Sequence, residues 1–420
     1  ITLESGQEYF LSGSTQYTYT ITNDDFPVPG SVITTGTSRT SITPTDISLQ
    51  VLQIPNPGAV AGDFLLAAIT RQGSSYSQTI TPPAGWTLIR ETHRTNSQGL
   101  NLVTYYKIAG SSEPSMYNWG IPDDHSILGY HASGGITRYT GVDIVQPIDV
   151  SNAAVGTMPA GATGTVTVPS VYPSYANGHI VSVIGIYNPV TSVSTPSGMA
   201  ERYEIKHSIA PYNSMTLLWP TTQLCDMTWA PATGTGVKTA SVERFLISEN
   251  TDWAAQTIAL KTSQLSISDV SFTEGNSSSA NAVVTVSLDH PTNVPVTFNW
   301  LTADGTAVAH YPNIAGDDYM VSGGTGYTIP AGQTSYELII PIIGDTILEP
   351  NETFYVNLTN VSGATVVDSQ AMVTILDNDS NITINDVSQN EGNSGTTNFN
   401  FTVSLSPACS VPVSVTYFTP

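Results

Sequence analysis

Acidic residues between positions 264 and 379 stand in the short turns that separate apolar runs, and together they could build a cation site. They are Asp269, Glu274, Asp304, Asp345, Glu349, Glu352, Asp377 and Asp379, with the Asp317-Asp318 pair beside them. Lys261 is the last basic residue of the 420, so no downstream Lys or Arg can balance these carboxylates. Hard oxygen ligands without a competing cation suit Ca²⁺, which takes about six to eight of them. The alternative is a solvated acidic rim that keeps the chain soluble.

The residue types give little support to other kinds of chemistry. The sequence holds no Gly-x-Ser-x-Gly, His-Glu-x-x-His, Cys-x-x-Cys or Gly-rich phosphate loop, so we predict a protein that is not an enzyme. Asp123-Asp124-His125 with His131 could hold a metal, but a solvated loop beside an edge strand is the simpler interpretation. Eleven Lys and Arg stand against 33 Asp and Glu, a net charge of −22, which excludes nucleic-acid binding.

The elements that must position the acids are β-strands. Only 10% of residues are charged, and no helical periodicity extends beyond about two turns. Within 264–379 we predict strands at Ala282–Leu288, Val294–Asn299, Ser335–Ile343, Thr353–Leu358 and Ala371–Leu376. This spacing favours an all-β fold with an immunoglobulin-like sandwich, in which several acidic turns would meet at one pole.

Residues 264–379 resemble the Calx-beta domain. The resemblance is carried by Asp-Gly-Thr-Ala, Gly-Asp-Asp-Tyr, Ile-Pro-Ala-Gly-Gln-Thr, the stretch from Ile342 to Phe354 and the closing Asp-Asn-Asp. It implies a seven-stranded sandwich that binds Ca²⁺ at one end. The implied side-chain ligands are Asp304, Asp345, Glu349, Glu352, Asp377 and Asp379, with the Ile347 carbonyl and either Asp269 or Glu274. Gly344 and Asn378 each stand where the strongest calcium binders carry Asp, so the resemblance implies fewer or weaker ions here.

Parts of the same domain recur at both ends of the chain. Residues 382–392 repeat 265–275, which makes Asp386 and Glu391 counterparts of Asp269 and Glu274. Residues 19–25 repeat 373–379, which makes Asp24 and Asp25 counterparts of Asn378 and Asp379. We therefore expect partial Calx-beta domains at 1–25 and 380–420. Either the sequence was cut from a longer tandem array, or halves from neighbouring chains complement each other by strand donation.

The region between, residues 26–263, has a different composition, with most of the basic residues and many of the aromatic ones. Buried-strand patterns favour one jelly-roll-like sandwich of ten or more strands. Pro83-Ala84-Gly85-Trp86 before Arg90 is echoed by Pro196-Ser197-Gly198-Met199 before Arg202, which suggests a pseudo-repeat. Trp86 would fill the core or, alternatively, form a sugar-stacking platform. The region resembles an uncharacterised domain of large repetitive bacterial surface proteins and phage structural proteins.

These patterns lead to one main hypothesis about function and one alternative. The main hypothesis is a segment of a long extracellular fibre or adhesin at the cell surface, with calcium-stiffened spacers that contact neighbouring repeats or copies of the same protein. The alternative is a lectin-like module in 26–263 that binds surface glycans or a receptor, in a surface, phage-tail or virion protein. No apolar run is long enough for membrane insertion, and Cys225 and Cys409 lie in different predicted domains, so we expect no disulfide.

Overall fold

The computed structural model describes residues 33–42, 51–72, 79–94, 99–122, 131–174, 178–187, 190–205, 220–229, 234–247, 250–276, 279–310, 317–408 and 412–419. Every regular element in these ranges is a β-strand, which confirms the all-β prediction. Among them no helix is long and apolar enough to cross a membrane. The partial copy at 1–25, with Asp24 and Asp25, lies outside the described residues, as do Asp123-Asp124-His125 and Cys409.

The first part of the central region builds one large sheet and one small one. Its strands are β1 (Thr34–Ile42), β2 (Val51–Pro55), β3 (Phe64–Gln72), β4 (Thr87–Arg94), β5 (Leu100–Ile108), β6 (Met116–Gly120) and β7 (Ala132–Thr140). The large sheet has the order β1-β7-β3-β5-β4, and β2 pairs with β6 to cover its outer face. Leu65, Ala67 and Ile69 of β3 pack outward in the same cluster as Trp119 of β6.

The second part of the central region repeats this plan. Its strands are β8 (Ile148–Met158), β9 (Gly161–Val168), β10 (Gly178–Ile186), β11 (Ser192–Val193), β12 (Ala200–Ile205), β13 (Thr221–Trp229), β14 (Lys238–Ile247) and β15 (Thr251–Leu260). The large sheet has the order β8-β15-β10-β13-β12, and β9, β14 and β11 form the small one. The two large sheets have the same strand order when equivalent strands are matched: β1 with β8, β7 with β15, β3 with β10, β5 with β13 and β4 with β12.

The two large sheets pack against each other, so the central region has four layers. Phe64, Leu66 and Ala68 of β3 share a cluster with Val181 and Val183 of β10. Strands β3 and β15 are buried at every position, because each large sheet covers a core on both faces. This arrangement differs from the single jelly-roll-like sandwich expected from the sequence. Strands buried on both faces require a further layer on each side.

The sequence echo marks equivalent turns of the two units. Gly85 and Gly198 have φ of 84° and 79°, a left-handed conformation that favours glycine, immediately before β4 and β12. Trp86 is only 7% exposed and packs edge-on against Trp119 at 5.0 Å between ring centroids, so the sugar-platform alternative is wrong for this residue. The strand register also corrects the pairing of the arginines. Arg202 is equivalent to Ile89, and Arg90 is equivalent to Tyr203.

Residues 264–379 form a two-sheet sandwich. Its strands are β16 (Gln264–Ile267), β17 (Val270–Thr273), β18 (Ser279–Leu288), β19 (Val296–Asp304), β20 (Ala309–His310), β21 (Tyr319–Met320), β22 (Gly323–Ile329), β23 (Ser335–Ile343), β24 (Glu352–Ser362), β25 (Thr365–Val366) and β26 (Gln370–Leu376). The sheets have the orders β20-β21-β23-β18-β16-β25 and β17-β26-β24-β19-β22. Alternate residues of β19, β23 and β26 face one core, as their period-two patterns predict. The five predicted strands are therefore confirmed.

The last strands reproduce the beginning of this sandwich. Strands β27 (Asn381–Ile384) and β28 (Val403–Ser406) pair antiparallel, with Ile382 opposite Leu405. In the complete sandwich, Leu265 stands opposite Leu288 in β16 and β18, at positions 117 residues earlier in both strands. The repeat seen in the sequence is therefore also a repeat of strand register.

Candidate metal centre

Two neighbouring parallel strands bring the first group of acids together. Strand β17 pairs in parallel with β26, so the segments that follow the two strands leave the sheet at the same end. Glu274 follows β17, and Asp377 and Asp379 follow β26, with the Glu274 N–H donating to the Leu376 carbonyl at 3.3 Å. One carboxylate oxygen of each acid lies within 4.8 Å of the other two. We call Glu274, Asp377 and Asp379 the seam cluster, because Ser380 and β27 follow at once.

Two acids of the seam cluster, Glu274 and Asp379, are buried and incompletely hydrogen-bonded, and Asp377 is half-buried. Glu274 is 6% exposed and Asp379 is 4% exposed. Glu274 Oε1 and Asp379 Oδ2 have no hydrogen-bond partner among the described residues. Buried carboxylate oxygens without donors are costly, and a cation is the usual compensation when no Lys or Arg is near.

Two asparagines hold the loops of this cluster in place. Asn276 Nδ2 donates to Asp379 Oδ1 at 2.5 Å, and Asn378 Oδ1 accepts the Gly275 N–H at 2.9 Å. Asn378 Nδ2 also donates to Asn276 Oδ1 at 2.9 Å. An aspartate at 378 could not make this last bond, because an ionised carboxylate has no donor. Asn378 thus has a local structural role where the sequence comparison showed only a missing charge.

The electrostatics of the seam cluster oppose full ionisation. Burial, followed by repulsion from Asp377, Asp345 and Asp379, raises the pKa of Glu274 to about 8. Burial and the charges of Asp377 and Asp345 also raise the pKa of Asp379. A divalent cation would reverse these shifts by stabilising the charged carboxylates.

A second group of acids, the loop cluster, joins Asp318, Glu349 and Glu352. Asp318 precedes β21, Glu352 begins β24, and Glu349 lies in the loop between β23 and β24. One oxygen from each lies within 4.8 Å of the others. Asp318 is 7% exposed, and its Oδ2 accepts the Val308 N–H at 2.6 Å. Burial and the Asp318 carboxylate raise the pKa of Glu352 to about 7.

Asp345 connects the two clusters electrostatically. Its charge contributes to the raised pKa of Glu274 and Asp379 in the seam cluster and of Glu349 in the loop cluster. Its Oδ1 accepts the Ile347 N–H at 2.7 Å, which fixes the turn that follows β23. Together the acids supply the hard oxygen donors that Ca²⁺ requires.

Several residues from the sequence-based ligand set have other positions. Asp269 lies at the opposite end of β17 from Glu274, where it accepts the Met372 N–H at 2.7 Å. Asp304 accepts from the Tyr319 hydroxyl at 2.6 Å and from the Ala309 N–H at 3.0 Å, outside both clusters. The Ile347 side chain is 61% exposed. In the partial copy, Asp386 and Glu391 are exposed and belong to neither cluster.

The ligand set implied by the resemblance leaves out Asp318, although the acidic turns of the sequence include it beside Asp317. The Gly-Asp-Asp-Tyr motif offered two adjacent acids, and neighbouring residues of an extended chain point in opposite directions. Asp317 instead contacts His310 Nδ1. The register of β21 against β23, with Tyr319 opposite Ile342, decides which acid faces the cluster.

A third group, of two acids and a histidine, lies where the central region meets the acidic sandwich. Asp143, Asp289 and His290 have ligand atoms within 4.8 Å of one another. Here the Lys261 ammonium stands 3.6 Å from Asp143 Oδ2 and 3.7 Å from Asp289 Oδ2. The Lys261 ammonium already lies near both carboxylates of this group. We therefore call Asp143, Lys261, Asp289 and His290 the ion-pair junction.

Comparison with known proteins agrees with the resemblance seen in the sequence. Residues 261–379 match the family model of the Calx-beta domain. No curated protein matches the chain. A solved structure of the apo form of the Calx CBD1 domain is 26% identical, covering 28% of this chain and 98% of that one, with a TM-score of 0.24.

Two further solved structures are similar over the same share of this chain. The calcium binding domain CBD12 of CALX1.1 is 27% identical, covering 27% of this chain and 44% of that one, with a TM-score of 0.23. The Calx CBD2 domain is 12% identical, covering 27% of this chain and 85% of that one, with a TM-score of 0.22. From the family match and the sandwich described above, the chain contains a Calx-beta domain, a calcium-binding type of β-sandwich, at residues 261–379.

Proposed function

We propose that the seam cluster and the loop cluster each bind Ca²⁺. The observation that carries this proposal is the burial of unpartnered carboxylate oxygens on Glu274 and Asp379 in a domain without a Lys or Arg after Lys261. All available ligand atoms are oxygens, which favours Ca²⁺ over the metals that prefer imidazole or thiolate. Asp345 is within electrostatic reach of both clusters, so its negative charge would favour a cation at either one.

Calcium in the seam cluster would stiffen the boundary with the next unit. Asp379 belongs to the cluster, and β27 begins at Asn381, so only Ser380 separates them. Neutralising the acids removes their mutual repulsion and ties the loops after β17 and β26 together. The matching register of β27–β28 and β16–β18 supports a second Calx-beta unit at 380–420.

On this basis the protein acts as part of an extracellular repeat array, a fibre or adhesin at the cell surface. Its partners would be neighbouring repeats or copies of the same protein, with Calx-beta domains as calcium-dependent spacers and the duplicated central region as a decoration. Calx-beta domains are not enzymes, and we extend that expectation to the central region.

The calcium proposal is tested by calorimetric titration and thermal unfolding of the full chain. We expect Ca²⁺ to raise the melting temperature and EGTA to reverse the rise. Asp379→Asn should weaken the seam site and Glu349→Gln the loop site, while Glu337→Gln, an exposed acid on β23, should bind like the wild type. Equal melting temperatures in Ca²⁺ and EGTA would contradict the proposal.

A further inference from the structure

The two large sheets of the central region meet along two seams that are related by an approximate twofold axis. Strand β4 lies against β8 at one seam, and its equivalent β12 lies against β1, the equivalent of β8, at the other. The strand registers then show which residue of the first unit is equivalent to which residue of the second. Phe64 pairs with Ile108 on β3 and β5, as His179 pairs with Thr228 on β10 and β13.

Three further pairs of equivalent residues line the two seams. Tyr106 stands opposite Leu66 as Asp226 stands opposite Val181. Ile89 and Arg202 are the irregular residues at matching breaks in register of β4 and β12. Ile148 faces Leu260 as Thr35 faces Tyr139.

At the five positions compared, the first seam is apolar and filled, although hydrogen bonds such as Arg90 to the Ser151 carbonyl and Thr104 to Gln256 cross it at other positions. Phe64, Ile89, Tyr106, Ile108 and Ile148 all pack in the core cluster between the large sheets. Phe64 stacks on Tyr106 with ring centroids 5.6 Å apart and an interplanar angle of 15°.

The second seam carries polar residues at all five equivalent positions, and among the described residues none fills it. His179, Arg202, Asp226, Thr228 and Thr35 line a cleft of about 510 Å³. Asp226 is fully buried and accepts hydrogen bonds from Thr35 Oγ1 at 2.9 Å, the Tyr139 hydroxyl at 3.0 Å and Arg202 Nε at 2.6 Å. His179 Nε2 lies 3.3 Å from Asp226 Oδ2.

Polar residues at these positions work against stability. The first seam shows that the same fold can fill the five positions with apolar side chains. Replacing an apolar core by a buried ion pair is typically neutral or unfavourable for folding. Residues that break the packing rules of their fold are expected at functional sites. The comparison within one chain therefore indicates that the second seam binds something.

The chemistry of the cleft defines the ligand class. The charges of Asp226 and Arg202 cancel, and the protein carries a net charge of −22, which disfavours an anion. Thr34 and Thr228 offer hydroxyls that both donate and accept, and Thr35, whose proton is given to Asp226, can still accept; Ile33, Met199 and Met227 form apolar walls. Ligands with hydroxyl groups around an apolar ring face match this combination.

Catalysis is not favoured by the geometry. Both Thr35 Oγ1, at 3.4 Å, and Asp226 Oδ2, at 3.3 Å, approach the same nitrogen of His179, Nε2. A hydroxyl–imidazole–carboxylate relay needs the hydroxyl and the carboxylate on different ring nitrogens. Asp226 instead orients Arg202, whose side chain is 33% exposed toward the cleft.

We propose that the cleft between β1, β12 and β13 binds a neutral saccharide unit. This cleft shares no residue with the calcium clusters. Saccharide binding and calcium binding can therefore be tested separately, and either proposal can be wrong without the other. It gives the glycan-binding alternative a location that differs from Trp86.

The test is saturation-transfer NMR on the full chain with glucose, galactose, mannose and N-acetylglucosamine as neutral probes and glucuronate as the anionic probe. The blocking variant is Ala200→Trp, which places a large side chain on the cleft wall without removing a member of the Asp226 network. The matched control is Thr87→Trp, the equivalent exposed position at the filled seam.

We expect transfer to at least one neutral probe in the wild type and in Thr87→Trp, and at least a tenfold loss of affinity in Ala200→Trp. Chelation of calcium should leave this binding unchanged. Absence of transfer to every neutral probe, equal binding by the two Trp variants, or binding of glucuronate alone would each overturn the proposal.

Discussion

At the level of a single residue, Glu274 would link the proposed calcium binding to pH. Its pKa rises from 4.5 to about 8 in the folded protein without metal, chiefly through burial. Between these values the folded state retains a proton that the unfolded state has lost, so stability falls as pH rises. In EGTA we predict a melting temperature that decreases from pH 5.5 to 8.5, with a flatter profile in Glu274→Gln. A melting temperature that increases over this range would contradict the assignment.

In the proposed site the same proton would compete with calcium. Ca²⁺ requires the ionised carboxylate, so binding must release the Glu274 proton below about pH 8. We predict that calcium affinity measured by titration calorimetry increases from pH 6 to 8.5. Heats that vary with the ionisation enthalpy of the buffer would report the released proton. Affinity independent of pH would place Glu274 outside the ligand set.

Asp226 has the opposite pH dependence. Burial alone would raise its pKa, but hydrogen bonds from His179 and Arg202 hold it at about 2, below the ordinary 3.8. Its contribution to stability is therefore complete above pH 3.8 and is lost as pH falls toward 2. We predict that Asp226→Asn costs about 3–5 kcal/mol in urea unfolding at pH 7, because Arg202 and His179 lose their partner. Glu243→Gln, an exposed acid, should change stability by less than about 0.5 kcal/mol.

At the scale of elements, Gly344 stands where the strongest calcium binders carry Asp, and the backbone leaves no room to place an Asp here. A Cβ at this position would lie 2.3 Å from the Gly275 carbonyl oxygen and 2.8 Å from that of Glu274. The end of β23 passes too close to the loop after β17 for any side chain. The sequence comparison showed a lost charge here, whereas the structure shows a close approach of two backbones.

We predict that Gly344→Ala and Gly344→Asp both lower stability by about 1–3 kcal/mol through overpacking. Both should also weaken calcium binding, because the Glu274 backbone must move. Gly332→Ala is the control: it strains a residue at φ of 81° in open space but leaves calcium affinity unchanged. Tighter calcium binding by Gly344→Asp would contradict this account.

The elements of the Calx-beta domain were predictable from sequence because alternation and turn residues are local signals. The site was predictable only in part. Acids at the ends of predicted strands indicated five members of the candidate site: Glu274, Glu349, Glu352, Asp377 and Asp379. The separation into two clusters, and the choice of Asp318 over Asp317, depend on which strands are neighbours. That information resides in long-range pairing, such as β17 beside β26, and a single sequence does not contain it.

At the scale of the whole molecule, the ion-pair junction holds the Calx-beta domain to the central region. Asp143 is fully buried, and its Oδ1 accepts the Val145 and Gln146 N–H groups. Its Oδ2 faces Lys261 and lies 3.1 Å from His290 Nδ1. Asn293 extends the contact by accepting the Gly141 N–H at 3.3 Å. Lys261 supplies a positive charge at this boundary, whereas the boundary at Asp379 is the one that calcium would control.

We predict that Lys261→Met destabilises the full chain by about 3–5 kcal/mol, because two carboxylates lose their buried counter-charge. Calorimetry should show the Calx-beta domain unfolding separately from the central region. Lys238→Met, which removes only a hydrogen bond to the Ser197 carbonyl, is the control. A single unchanged transition in Lys261→Met would show that the junction does not couple the domains.

The duplication of the central region was harder to anticipate from sequence. The short echo around Trp86 and Met199 indicated it, but an apolar run such as that of β15 does not reveal whether it has one covered face or two. Only the order of strands in the two large sheets makes the repeat visible.

Amide hydrogen exchange in the innermost strands of the central region would report how often that region opens. Strand β10 lies between β13 and β15, and β3 lies between β5 and β7, so their amide groups are paired on both sides beneath covered faces. We expect deuterium to reach such amides only when the whole unit opens, because core strands exchange at the upper end of the range of opening free energies. Their exchange rates would therefore report the opening free energy of the central region in native buffer, without denaturant or heat.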